Sequence, residues 1–304
     1  MGPVARREFL RQVSLFCTAT TVGGVSARSA SALDPIRRNG QPKFKFSLAA
    51  YSYRNLLLDK DRDFSLADFI DDCARMQLEG TELTSYYFPQ PATHSALRAL
   101  KQQCFRLGLD ISGTAVGNDF GFPPGDQRDQ QIEDVKRWIE YAEILGAPVI
   151  RVFAGHRKGN ATPEQTHQWI VSGLEECCAY AGQHGIFLAL ENHGGPTTTA
   201  DGLLAVARDV NSPWFGVNLD TGNFHSADIY GDLARVAPLA INVQVKVAIS
   251  GPDGQKQPAD FKRLARILRE ANYRGYIVLE YEEPAAPREA CPVYIEQLRD
   301  AFSG

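Results

Sequence analysis

From residue 44 to the C-terminus, short apolar or β-branched runs alternate with longer stretches in which apolar residues return every three or four positions. The first pattern suits a buried strand and the second suits one face of a helix. Strands are expected over 45–53, 80–85, 109–117, 147–155, 186–193, 215–222, 241–247 and 276–282. Helices expected between them include 65–77, 131–146, 163–185 and 258–275. Pro163 and Pro258 suit first turns, and Gly146, Gly185 and Gly275 suit helix stops. Regular alternation of this kind predicts parallel βα units. Eight units fit a single-domain α/β fold, a (β/α)8 TIM barrel over residues 44–304, with an open doubly wound sheet as the alternative. Neither GxGxxG nor GxxxxGK[ST] follows the first strand, which counts against a nucleotide-binding version.

The polar exceptions inside the apolar runs carry the functional signal. The run "IFLALENH" ends in Glu191, Asn192 and His193. The next three strands end in Asn218 and Asp220, in Gln244 and Lys246, and in Glu280 and Glu282. Side chains two apart on a strand share a face, so each of these pairs is expected to point the same way, and Asn192 the other way, toward loops or helices. One such residue is ordinarily a hydrogen-bonded core polar group. Four consecutive strands with the same feature predict a polar pocket at the C-terminal mouth of the barrel, where this fold places its chemistry. Several buried carboxylates require compensating positive charge, and a divalent metal satisfies that need economically. Glu191, Asp220, Gln244 and Glu280 form a hard-oxygen set suited to Mn2+, Mg2+ or Co2+, with Zn2+ a further candidate.

Composition narrows the partners. The formal net charge of -4 gives no attraction for nucleic acid, so a small molecule is the expected partner, and a homo-oligomer is compatible with the reading. Residues 1–32 resemble a twin-arginine signal peptide: Arg6 and Arg7 precede Phe9 and Leu10, and Ala30-Ser31-Ala32 supplies a small-residue cleavage site. Residues 33–43 would be a linker, and the protein would be exported to the periplasm or beyond, with no stable membrane span after signal removal. Of six cysteines, Cys17 lies in that leader. The other five lack paired spacing and read as small buried hydrophobes.

The motifs "LALENHGG", "GVNLDTGNFH", "NVQVKV" and "GYIVLEYE" together resemble the xylose-isomerase-like TIM-barrel superfamily of sugar phosphate isomerases and epimerases. That group includes ketose 3-epimerases, inosose dehydratases and 3-dehydroshikimate dehydratases. The resemblance spans roughly residues 44 to 302. It implies one divalent metal held by Glu191, Asp220, Gln244 and Glu280, with Gln244 standing where the family commonly has a histidine. It also implies that Glu191 and Glu280 face the substrate from opposite sides and exchange acid and base roles, and that His225 contacts substrate. Lys246 is expected to stabilise an enolate oxygen or to neutralise carboxylates. His193 is expected to bind or protonate a hydroxyl, or to fix Glu191. Weaker candidates on earlier strands are Tyr51, Tyr53, Glu82, Arg151 and His156; an internal Glu82–Arg151 ion pair is the favoured reading of those two.

The leading expectation is a metal-dependent isomerase or epimerase acting on a keto sugar or polyol through an enediolate. A dehydratase or lyase that expels a β-leaving group from the same carbanion is the runner-up. An exported carbohydrate-binding protein without catalysis comes third. Six histidines and a negative charge disfavour the multi-zinc abasic-site endonucleases of the same superfamily.

Overall fold

The computed structural model describes residues 35–303 apart from 60, 62, 252 and 253, so the leader expected over 1–32 lies outside the described residues. Eight parallel strands close into a barrel: β1 (Lys43–Ala49), β2 (Gly80–Thr84), β3 (Asp110–Ala115), β4 (Val149–Val152), β5 (Phe187–Glu191), β6 (Phe215–Asp220), β7 (Ala240–Val245) and β8 (Arg274–Leu279). Closure comes from β1, which pairs with β2 on one side and with β8 on the other, in register from Lys43↔Arg274 to Leu48↔Leu279. The sheet is therefore a single (β/α)8 barrel and not an open doubly wound one.

Around it run α1 (Leu66–Arg75), α2 (His94–Arg106), α3 (Asp126–Leu145), α4 (Pro163–Gln183), α5 (Ala200–Asp209), α6 (Ile229–Val236), α7 (Phe261–Glu270) and α8 (Pro287–Phe302). Local chemistry sets their ends. Thr162 and Gln165 form a reciprocal capping box ahead of Pro163 at the first turn of α4. Gly146 closes α3 with φ 79°, a left-handed conformation that costs glycine nothing.

Two expected boundaries move. Pro258 ends a short antiparallel ribbon, Ala248–Ser250 paired with Lys256–Pro258, and the Asp260 side chain caps α7 instead. Gly275 lies within β8 opposite Phe44, and the left-handed turn after α7 falls to Asn272, φ 51°. A flexible polar residue close to a helix end can take that conformation, so glycine is not required there.

Alternate residues of the strands divide the interior. Leu188, Leu190, Val217, Leu219, Val243, Val245, Ile277 and Leu279 belong to one continuous apolar core with buried helix residues such as Ile139, Leu174, Leu233 and Leu268. Full burial of each such side chain stabilises the fold by about 1.5–3 kcal/mol. The opposite parity is polar: Ser47 and Ser112 bond to each other across the barrel at 2.8 Å, and above them come Glu82, Asn218, Asn242 and Gln244. The five cysteines among the described residues are buried and free, all on helices. Among the described residues no helix is long and apolar enough to cross a membrane.

Candidate active site

Every strand stops between one and four residues short of the end of its expected run, because there the chain leaves the ladder for a βα loop. Tyr51 and Tyr53 consequently sit on a 3-10 turn, Ala50–Tyr53, and His193, Lys246, Glu280 and Glu282 sit just beyond strand ends. The side chains of Tyr51, His193, Lys246, Glu280 and Glu282, with those of Glu191 and Asp220, lie at or next to the C-terminal mouth of the barrel, whereas Tyr53 is buried against Phe64 and Phe69 beside α1.

The deeper layer is a ring of four side chains. Glu82 accepts from Gln244 Nε2 at 2.6 Å and from Asn242 Nδ2 at 2.9 Å; Gln244 Oε1 accepts from Asn218 Nδ2 at 2.6 Å; and Asn218 Oδ1 accepts from Asn242 Nδ2 at 2.8 Å. Burial pushes the Glu82 carboxyl up to about 7, with nearby Glu280 adding to the rise and the amide donors opposing it. The Glu82–Arg151 ion pair expected from sequence is replaced by this ring. Arg151 turns to β5 instead, with its Nε 2.9 Å from Glu191 Oε2.

The upper layer holds the charges. Glu191, only 3% exposed, receives Arg151 on one oxygen and Asn223 Nδ2 on the other at 2.8 Å. Arg151 also donates to the Val116 carbonyl at 2.9 Å, lies 3.9 Å over the Phe153 ring and bonds the Tyr86 hydroxyl. Asp220 Oδ1 accepts the Gly222 N–H at 2.8 Å. The Lys246 ammonium is paired with Glu280, with Glu282 at 2.9 Å and with Asp220 Oδ2 at 3.3 Å.

Burial raises Glu191 well above the carboxylate range, against the pull of Arg151. Burial likewise raises Asp220 to about 7, against Lys246. Glu280 is buried too, but the Lys246 charge and hydrogen bond, with a further hydrogen bond to Asp220, hold it below its ordinary value. The three buried carboxyls are therefore held unequally, Glu280 favoured as the carboxylate and Glu191 and Asp220 pushed toward the protonated form, a contrast that acid–base chemistry can use.

Asn192 does not point away into loops or helices. It is fully buried and bridges β5 to β6, with its amide accepting from the Asp220 N–H and donating to the Asp220 carbonyl, both at 2.9 Å. Closing a backbone pair in this way fixes Asp220 relative to Glu191.

Of the remaining expected residues, His225 lines a cavity of about 190 Å3 with Lys246, Glu280, Glu282 and Lys256. Tyr51 is raised by burial and by the charge of Glu282, which places it at the same mouth. His193 is stacked on Phe153 at 4.4 Å. Partial burial and the Arg151 charge lower its pKa, which favours the neutral imidazole. His156 lies against Gly194 in the loop after β5. A larger cavity of about 460 Å3 lies outside the barrel between α1 and α8, where Asp72 is already paired with Arg75 and Arg288.

The oxygen set implied by the resemblance does not fit a metal ion as it is arranged here. The Gln244 oxygen is engaged by Asn218 and its nitrogen by Glu82, one Glu191 oxygen accepts from Asn223 while the other lies against the Arg151 charge, and an ammonium lies against Glu280 and against Asp220 Oδ2, which has no hydrogen bond. Among the described residues, no three His, Cys, Asp or Glu side chains are grouped to hold one.

Sequence reasoning passed over Asn223, Asn242, Tyr86 and Phe153. Asn242 shares the parity of Gln244, and Asn223 follows Asp220 by three residues, so both were open to detection. Tyr86 and Phe153 carry no comparable sequence signal.

A family model described as "xylose isomerase-like TIM barrel" matches residues 70–298. A 3-dehydroshikimate dehydratase of Bacillus anthracis is 24% identical over 185 residues, which cover 58% of this chain and 61% of that enzyme's length. Among solved structures, a D-psicose 3-epimerase from Clostridium cellulolyticum H10 superposes with a TM-score of 0.70 at 14% identity, covering 85% of this chain and 99% of the other. A 3-keto-D-glucoside 4-epimerase from E. coli superposes at 0.64 and 17% identity, covering 86% and 100%. These two likenesses are likenesses of fold. The family match spans strands β2 to β8 and every residue of the carboxylate cluster, and on it the chain belongs to the xylose isomerase-like TIM barrel family.

Proposed function

We propose that this barrel is an isomerase or epimerase of a keto sugar or polyol, working by proton transfer at the carbon beside a carbonyl. The observation that carries the reading is the buried cluster of Glu191, Asp220 and Glu280, tied to Arg151 and Lys246 and opening on the cavity lined by His225 and Glu282. An ionised carboxylate, with Glu280 the best suited, takes the C–H proton, and the bonding electrons move onto the carbonyl oxygen. The Lys246 ammonium faces that developing negative charge. A protonated carboxyl, Glu191, returns a proton to the opposite face to give the epimer, or to the neighbouring carbon to give the isomer. Arg151, His193, His225 and Tyr51 supply hydrogen bonds that hold the hydroxyls, and Glu82 supports the floor.

The match to a 3-dehydroshikimate dehydratase favours a second reading, in which the same carbanion expels a β-hydroxyl as water with a proton from the site carboxyl. Incubation with free ketoses, 3-keto-glycosides and dehydroshikimate in D2O separates the two. Solvent deuterium entering recovered substrate and its epimer supports the first reading, and an enone or other dehydrated product supports the second. Glu280→Gln is expected to slow either reaction at least about 100-fold. A Glu280→Gln protein as active as the parent would refute the acid–base role of Glu280, and a parent that turns over none of these compounds would leave a carbohydrate-binding protein.

A further inference from the structure

We propose that Lys246, and not a divalent metal, is the resident cation of this site. The inference rests on the functional reading only in taking this cluster as the place where the substrate reacts.

One ammonium lies within ion-pair distance of three carboxyl groups here: it donates to Glu280 and stands against Glu282 and Asp220, whose Oδ2 has no hydrogen bond of its own. The chain makes room for the lysine stem at Gly222, where a Cβ would sit 2.7 Å from Lys246 Cγ and 3.0 Å from its Cβ. The stem starts from a fixed point, because the Lys246 N–H donates to Thr221 Oγ1 at 2.9 Å, and the side chain ends only 7% exposed.

Gln244 is committed as well. A ligand at that position must offer a free oxygen toward the charge cluster, but its carbonyl and its amide nitrogen are both used in the ring below, with Asn218 and Glu82. A metal entering among Asp220, Glu280 and Gln244 would have to break two buried hydrogen bonds and sit against an ammonium of like charge. An amine at this place is a fixed electrophile. It stabilises an enolate or binds a carboxylate, and chelators do not remove it.

The test measures metal on the full-length protein without reference to turnover. Metal content by mass spectrometry, with Mn2+ titration followed by electron paramagnetic resonance, is expected to find far less than one metal per chain and an undiminished Mn2+ signal at one-to-one mixing. Lys246→Met leaves Asp220, Glu280 and Glu282 facing one another, and is expected to bind Mn2+ at least about tenfold more tightly than the parent. The proposal is overturned if the parent protein carries about one metal per chain, if it quenches the Mn2+ signal stoichiometrically, or if a folded Lys246→Met protein gains no affinity. The parent titration decides the matter if that variant does not fold. A parent protein that ignores Mn2+ and exchanges no substrate proton sinks the functional reading and leaves the cation assignment standing; one that takes up Mn2+ sinks the assignment whatever it exchanges.

Discussion

Arg151 and Glu191 are both buried, and each is the other's nearest opposite charge. Removing Arg151 alone strips a buried carboxyl of its partner, which costs about 1–3 kcal/mol, whereas replacing both members costs much less. Arg151→Met is therefore expected to lower unfolding stability by that amount in urea titration, and the double variant Arg151→Met/Glu191→Gln to regain most of it. A double variant as unstable as the single one would mean that Arg151 acts through packing on Phe153. The residues of this layer were legible because they interrupt apolar runs at one parity. Their partners were not legible: Glu82 and Glu191 are both distant from Arg151 in sequence, and only the pairing of β4 with β5 in the barrel decides which acid it meets.

Elements are governed by shorter-range chemistry, and here the sequence is a fuller guide. At the start of α1, Asp68 accepts from the Ser65 N–H at 2.9 Å and from the Ser65 hydroxyl at 2.6 Å, and those bonds hold its carboxyl below its ordinary value of 3.8. A carboxylate with a depressed folded pKa contributes stability that is complete above the unfolded value and lost as pH falls through the folded one. The stability difference between the parent and Asp68→Asn is thus expected to be full at neutral pH and to shrink below pH 3.8 in pH-dependent melts.

Glycines give a second contrast at this scale. At Gly202, in the first turn of α5, an added Cβ would stand 1.8 Å from the Pro196 carbonyl oxygen, a backbone atom that cannot move without shifting the turn after His193. At Gly216 the obstacle is the Ile241 side chain at 2.7 Å, which can rotate. Gly202→Ala is expected to destabilise by about 1–3 kcal/mol, and Gly216→Ala by less. Equal losses in thermal melts would contradict the distinction. The expected strands ran past the true ends because apolar content persists into the βα loops, where burial continues but pairing has stopped.

For the whole molecule, the resident cation determines how stability responds to chelators. A protein that binds a metal only when folded loses the corresponding linkage energy on chelation, about 4 kcal/mol for a site a thousandfold saturated. With Lys246 in that role, excess EDTA is expected to leave the melting temperature unchanged, and a drop of several degrees would show a metal at work. The N-terminal arginine pair makes a separate claim. Arg6→Lys/Arg7→Lys is expected to keep the protein in the cytoplasm of a host with twin-arginine export while the parent reaches the periplasm, as fractionation would report.

Periodicity along the chain was sufficient to determine eight βα units, a polar mouth with Glu191, Asp220, Lys246 and Glu280 at or beside it, and, among the described residues, five unpaired cysteines, because each depends on local spacing or residue type. Closure of the barrel, the ring that occupies Glu82, Asn218, Asn242 and Gln244, the turn of Arg151 toward Glu191 and the seat of Lys246 among three carboxyls were decided by tertiary structure alone. These are contacts between strands far apart in sequence. Hydrogen-bond partners and charge neutralisation inside a barrel are set by which side chains its register brings within 3 Å or so of one another, and no one-dimensional pattern encodes that register.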